Sequence, residues 1–209
     1  MKLKLLVVGL AGLFLCTASF GVSLSLGVSG QGAVNDSTVI AGVPFSVDIY
    51  FANDSIQRGF TVGFKVTSND IKSITHVVDS GKGINPRGDV KGYNGWQDKS
   101  IWDLQGLFVV ETNWEGKLPD TIGLGGVCVK QEYKPHDKMK CLSFDIVAPT
   151  TGNLVVDSSF FPPSGIWIFA GESQTSHTPK WGGPLKLKVV AKDSVKAAKP
   201  PDTPKAGNK

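Results

Sequence analysis

Gly125 to Val147, GGVCVKQEYKPHDKMKCLSFDIV, decides the fold class. Val127 and Val129 alternate with Cys128, Lys130 and Glu132. Beyond Lys134-Pro135-His136-Asp137, Leu142, Phe144 and Ile146 alternate with Cys141, Ser143 and Asp145. Period-2 alternation sends one set of side chains to a core and the other to water, so the stretch reads as two β-strands joined by a short turn. In the register where Val127 faces Leu142, Cys128 stands opposite Cys141 on the wet face. Directly opposed residues have Cβ atoms about 4.5–5.5 Å apart, close to what a disulfide needs. The expectation is a Cys128–Cys141 bridge. A register shifted by two residues keeps the faces and separates the cysteines.

The same alternation recurs along the chain. Val22, Leu24, Leu26 and Val28 alternate with Ser and Gly. Ser37 to Ile40 is a short strand stopped by Gly42 and Pro44. Phe45, Val47, Ile49 and Phe51 then alternate with Ser46, Asp48 and Tyr50. After a turn at Asn53-Asp54-Ser55, Phe60, Val62, Phe64 and Val66 repeat the pattern. Further strands are read at Ile71–Val78, Leu107–Thr112, Asn153–Phe160, Ile166–Phe169 and Leu185–Val189. With 25 Gly, 12 Pro and 19% charged residues, this is an all-β chain whose two inner surfaces pack together: a two-sheet antiparallel β-sandwich. Three segments are expected: residues 1–21, 22–190 and 191–209.

Residues 1–21 read as an export signal. Lys2 and Lys4 precede an apolar run from Leu5 to Leu15, and small residues follow at Ser19 and Gly21. Cys16 leaves with this leader, and the remaining cysteine pair suits an oxidising compartment. Residues 191–209 are rich in Lys and Pro, almost without apolar side chains, and read as a disordered tail. The formal net charge of +4 belongs to these ends. The leader carries +2 and the stretch from Val190 on carries +3, which leaves −1 between them. No basic face for nucleic acid is implied, and no membrane association after signal cleavage.

Between Asp79 and Asp103 the alternation stops in a long Gly-, Asn- and Asp-rich loop with Tyr93, Trp96 and Trp102. Loops this long in compact domains tend to carry function. Flat aromatic rings on loops stack on sugar rings, so Trp96, Trp102, Trp181 and Tyr93 are the candidate ligand-binding residues. Trp114 and Trp167 belong to the same aromatic set, and the alternative is that most of the five tryptophans pack in the core or under loops. Asp79, Asp89, Asp98 and Asp103 match no calcium-loop spacing, and the expectation is no metal and no cofactor. Glu111 and Glu115 flank Trp114 as the acid pair of a glycoside hydrolase would, which is the second alternative, but His76, His136 and His177 are scattered. No nucleophile elbow or phosphate loop occurs, so a non-catalytic protein is expected.

Gly42-Val43-Pro44 leading into Phe45-Ser46-Val47-Asp48-Ile49, and the later Ile56-Gln57-Arg58-Gly59-Phe60-Thr61-Val62-Gly63-Phe64, resemble the opening strand pair of cohesin-type and carbohydrate-binding sandwiches of secreted bacterial proteins. Gly95-Trp96 to Asp103, Leu118-Pro119-Asp120-Thr121 to Gly126, and Phe160-Phe161-Pro162-Pro163-Ser164-Gly165 are similar to a group of uncharacterised bacterial secreted proteins. The resemblance spans about Val22 to Val190, and no dockerin-like calcium repeat follows it. It implies a cohesin-like or jelly-roll-like sandwich exported to the periplasm, cell surface or medium. Two partners follow from these readings: a polysaccharide, met by the loop aromatics, or a secreted or cell-surface protein, met by an apolar patch on one sheet face.

Overall fold

A computed structural model describes residues 21–77, 106–127, 135–159, 167–171 and 176–195, with the backbone alone for 106–113. The export signal (apart from Gly21), the loop with Tyr93, Trp96 and Trp102, Cys128, the Phe161–Gly165 break and the tail after residue 195 lie outside the described residues.

The strands are β1 (Val22–Ser29), β2 (Ala33–Asn35), β3 (Thr38–Ile40), β4 (Phe45–Asn53), β5 (Gln57–Thr67), β6 (Thr75–His76) and β7 (Gly106–Asn113). They continue as β8 (Asp120–Val127), β9 (His136–Val147), β10 (Gly152–Ser158), β11 (Ile168–Gly171), β12 (Ser176–His177), β13 (Lys180–Trp181) and β14 (Leu185–Val190). One helical turn, α1 (Lys192–Val195), follows. The first sheet has the order β13-β1-β4-β9-β6. In the second, β5 is central: β8 lies along one edge with β7 beyond it, and β10 and β11 share the other. From β10 this sheet continues through β14 and β3 to β2.

The alternation seen in the sequence is the alternation of burial. Phe45, Val47, Ile49 and Phe51 of β4 are buried, and so are Leu142, Phe144 and Ile146 of β9. They meet Phe60, Val62, Phe64 and Val66 of β5 and Ile122 and Leu124 of β8 from the other sheet. Phe51, Phe60 and Phe169 interlock across the layers, with ring centroids 5.1–5.8 Å apart. Fully burying each such side chain is worth about 1.5–3 kcal/mol, and the edge-to-face contacts add to it. The two inner faces thus form one core, and the sandwich expected from the sequence is present.

Two sequence expectations are corrected. Gly125–Val147 does hold two strands, but they do not pair with each other. Both edges of β8 are taken, by β5 and β7, while β9 lies in the opposite sheet between β4 and β6. A strand has two edges, so none remains on β8 for β9. With the hairpin goes the register that set Cys128 opposite Cys141 on a wet face: Cys141 is buried (0% exposed), and Cys128 lies outside the described residues. In the β4–β9 ladder Ile49 pairs with Leu142 and Tyr50 with Lys140. Cys141 is therefore the extra residue of a β-bulge, its Sγ 3.5 Å from the Met139 carbonyl.

The sheets are also mixed rather than purely antiparallel. β13 runs parallel to β1, and β14 parallel to β3. The strand read at Ile71–Val78 shrinks to β6 and a single bridge between Ser73 and Lys117.

Candidate functional site

Three places in the described residues gather polar or aromatic chemistry.

The first is at the β1–β13 end of the first sheet. Trp181 pairs with Leu24 along the β1–β13 ladder. Its ring is half-buried and meets the Trp167 ring edge-on at 4.8 Å and 86°. It is thus a strand residue leaning on the core, not an exposed loop ring. Beside it a cavity of about 350 Å³ opens between β1, the end of β4, the start of β9 and β13. Along one wall Gly21 N–H donates to the Asp54 side chain at Oδ2 (2.9 Å) and Asp54 N–H donates to the Gly21 carbonyl (3.1 Å).

The second lies on the outer row of the first sheet. Asp48 is almost wholly buried (1% exposed), with Lys140 Nζ 3.0 Å from its Oδ1. Tyr50 donates a long hydrogen bond (3.4 Å) to Asp48 Oδ2, and Lys138 Nζ sits 4.5 Å from the centre of the Tyr50 ring. The ring fits because it leans over Gly27, the cross-strand partner of Asp48 on β1, where a Cβ would fall 2.9 Å from Tyr50 Cε2. Burial, and then the Asp48 carboxylate, raise the Tyr50 phenol above its ordinary value of 10.0. Because the folded-state value is the higher one, the stability linked to this proton is fully present below pH ~10 and is lost as pH rises through the raised value. Of the 3 tyrosines in the chain, Tyr50 is therefore expected to ionise late in an ultraviolet pH titration. Asp48→Asn should move that step down towards the ordinary value; an unchanged step would deny the carboxylate its part.

The third joins the two sheets. His76 on β6 stacks on Trp114 at 4.3 Å and 18°, and its Nε2 stands 2.9 Å from Asp120 Oδ2, an ion-pair contact rather than an aligned hydrogen bond. Asp120 also accepts the backbone N–H of Glu115 (2.9 Å) and of Gly116 (3.0 Å). Gly116 adopts φ +89°, where a Cβ would fall 2.5 Å from the Ile74 carbonyl. This cluster is sealed: His76 and Asp120 side chains are 3% and 0% exposed. Glu115 is exposed, and of Glu111 the backbone alone is described, so the pair of acids considered from the sequence does not form a described cleft. Among the described residues no group of three His, Cys, Asp or Glu side chains is placed to hold a metal.

Of the four ring candidates, then, Trp181 is placed and Tyr93, Trp96 and Trp102 lie outside the described residues. Trp114 and Trp167 are core residues, as the alternative reading had them. The apolar sheet-face patch expected of a protein-binding surface is not formed by the described residues: exposed large apolar side chains are Val34 and Val127, on separate strands. The Asp48 cluster had one sequence signal, an acidic residue inside the cleanest alternating strand.

Two mixed sheets packed face to face, with parallel pairings where β1 meets β13 and β3 meets β14, define the class: a closed-core β-sandwich of the cohesin-like kind. No protein-family model matches the chain, and neither does any curated protein. Solved structures do match. A type II cohesin domain from the cellulosome of Acetivibrio cellulolyticus superposes with a TM-score of 0.56 at 10% identity, over 80% of this chain and 95% of that one. The type II cohesin dyad from the adaptor ScaA scaffoldin of the same organism gives 0.51 at 11% identity, over 80% of this chain and 48% of the other. The type I Coh-OlpC–Doc435 cohesin–dockerin complex from Clostridium thermocellum gives 0.50 at 10% identity, over 83% and 97%. The chain has a cohesin-like fold.

Proposed function

We propose that this chain is an exported, non-catalytic module that binds a protein partner, as a cohesin does. The observation that carries the reading is the superposition of nearly a whole cohesin domain on four-fifths of this chain. One matching structure is a cohesin held in complex with a dockerin, Doc435, and the partner proposed here is likewise a protein module displayed outside the cell. Residues 1–21 then direct export, 22–190 form the binding domain and 191–209 trail from it.

The test uses the exported chain as bait against the secreted proteins of its source, with cellulose and chitin as parallel columns. The expected result is a saturable one-to-one protein complex. Retention on a polysaccharide column with no protein captured would overturn the reading in favour of carbohydrate binding.

A further inference from the structure

We infer that Lys140 and Asp48 are the two ends of an intramolecular amide crosslink, formed once the first sheet has folded and joining β9 to β4. The two side chains meet on the outer row of that sheet, with Lys140 Nζ 3.0 Å from Asp48 Oδ1. The contact lacks the alignment of a hydrogen bond, and Asp48, almost wholly buried, keeps Oδ1 away from water. A charged pair taken out of water without good hydrogen bonds is costly, and an amide carries no charge.

The surroundings suit condensation better than a plain ion pair. Ile49 pairs with Leu142 and Tyr50 with Lys140, so the bulge drops Cys141 out of the outward row and sets Lys140 beside Asp48. Bulges re-aim side chains in this way, often next to reactive sites. At the other carboxyl oxygen, Oδ2, stands the Tyr50 hydroxyl, 3.4 Å away, and burial and the carboxylate keep that phenol protonated. The ring leans over Gly27, and β1 and β9 hold Asp48 from both sides. Holding two reacting groups together in this way is worth effective molarities of about 10⁵–10⁸ M where the alignment is good.

The step needs no co-reactant. Nζ attacks Cγ, the C–N bond forms, the Cγ–Oδ2 bond breaks and Oδ2 leaves as water. The ammonium supplies both protons of that water and keeps its third on the amide nitrogen. Tyr50 hands its proton to Oδ2 and recovers one from the amine, so it ends unchanged. The Asp48→Asn shift predicted for the Tyr50 titration is that of the chain before this step; afterwards no carboxylate is left to remove.

Tryptic mass spectrometry of the folded chain tests the crosslink. The expected product is the peptide ending at Arg58 joined to the peptide spanning residues 139–180, uncleaved after Lys140 and about 18 Da lighter than the two together. Tyr50→Phe should slow its formation during refolding about a hundredfold, and an unchanged rate would overturn the role given to Tyr50. Lys140→Arg keeps a cation beside Asp48 without the amine. It should abolish the joined peptide and lower the melting temperature by about 10 °C, because the crosslink closes a long loop of the unfolded chain. Both peptides at full mass in the folded wild-type chain, with cleavage after Lys140, would overturn the inference whether or not any variant folds. So would a joined peptide that survives Lys140→Arg.

Discussion

Asp120→Ala is expected to remove about 3–5 kcal/mol of unfolding free energy, the range for breaking a buried charged contact by deleting one partner. Asp120 is 0% exposed, accepts the Glu115 and Gly116 backbone amides, and has His76 Nε2 in close contact with its Oδ2. Alanine leaves two backbone N–H groups without their acceptor, each costing about 1–3 kcal/mol when buried. It also leaves His76 held against Trp114 with its polar edge facing apolar surroundings. Domains of this size hold about 5–15 kcal/mol in all, so the variant should be marginal at ambient temperature. Urea denaturation at neutral pH measures the loss. Asp120→Asn keeps one acceptor oxygen and should cost less. A double-mutant cycle with His76→Ala should show strong coupling. A loss below about 1 kcal/mol for Asp120→Ala would mean that water replaces the carboxylate and that the cluster does not tie the sheets together.

Trp167→Ala carries the second large effect, about 3–5 kcal/mol, as expected for a buried tryptophan. Its position explains more than its size. β10 and β11 lie end to end along one edge of β5, and the chain leaves that edge at Ser159 and returns at Trp167. The indole Nε1–H donates to the Gly63 carbonyl (3.0 Å) and to the Ser159 carbonyl (3.1 Å). It thus supplies a donor where the ladder is interrupted, while its ring packs against Phe64 and Trp181. Trp167→Phe keeps most of the ring and loses the donor, and should cost about 1–3 kcal/mol. If Trp167→Phe and Trp167→Ala were equally destabilising, the hydrogen bonds rather than the ring would hold the break. If Trp167→Phe were silent, the gap would be closed by other means.

How much of this was legible depended on distance along the chain. The inward faces of β1, β4, β5, β9 and β14 could be read directly, because alternation is a local property; what covers the outward row at Asp48 and Ser143 is not local and was not legible. Pairing is not local. Pro135 and His136 between two alternating runs suggest a hairpin, yet β8 finds a longer ladder on β5, where Phe60, Val62 and Phe64 continue its apolar row. The Cys141 misreading has the same root: a bulge caused by the β4 partner shifts the outward row by one, and nothing near Cys141 in sequence announces it. The His76–Asp120 contact joins residues 44 positions apart and has no spacing signature. Trp181 was legible as an aromatic worth noting, but not as a strand residue, because β13 is two residues long and owes its existence to β1.

The two parallel pairings have a mechanical meaning. The described chain enters through β1 and departs after β14, and each of these terminal regions runs beside a partner pointing the same way. Tension applied between the ends of the domain therefore drags parallel neighbours lengthwise past one another. The backbone bonds of each ladder share that load together instead of opening one after another, as they would if the strands were peeled apart. In the exported protein-binding module proposed above, such a layout would resist being pulled open along its length.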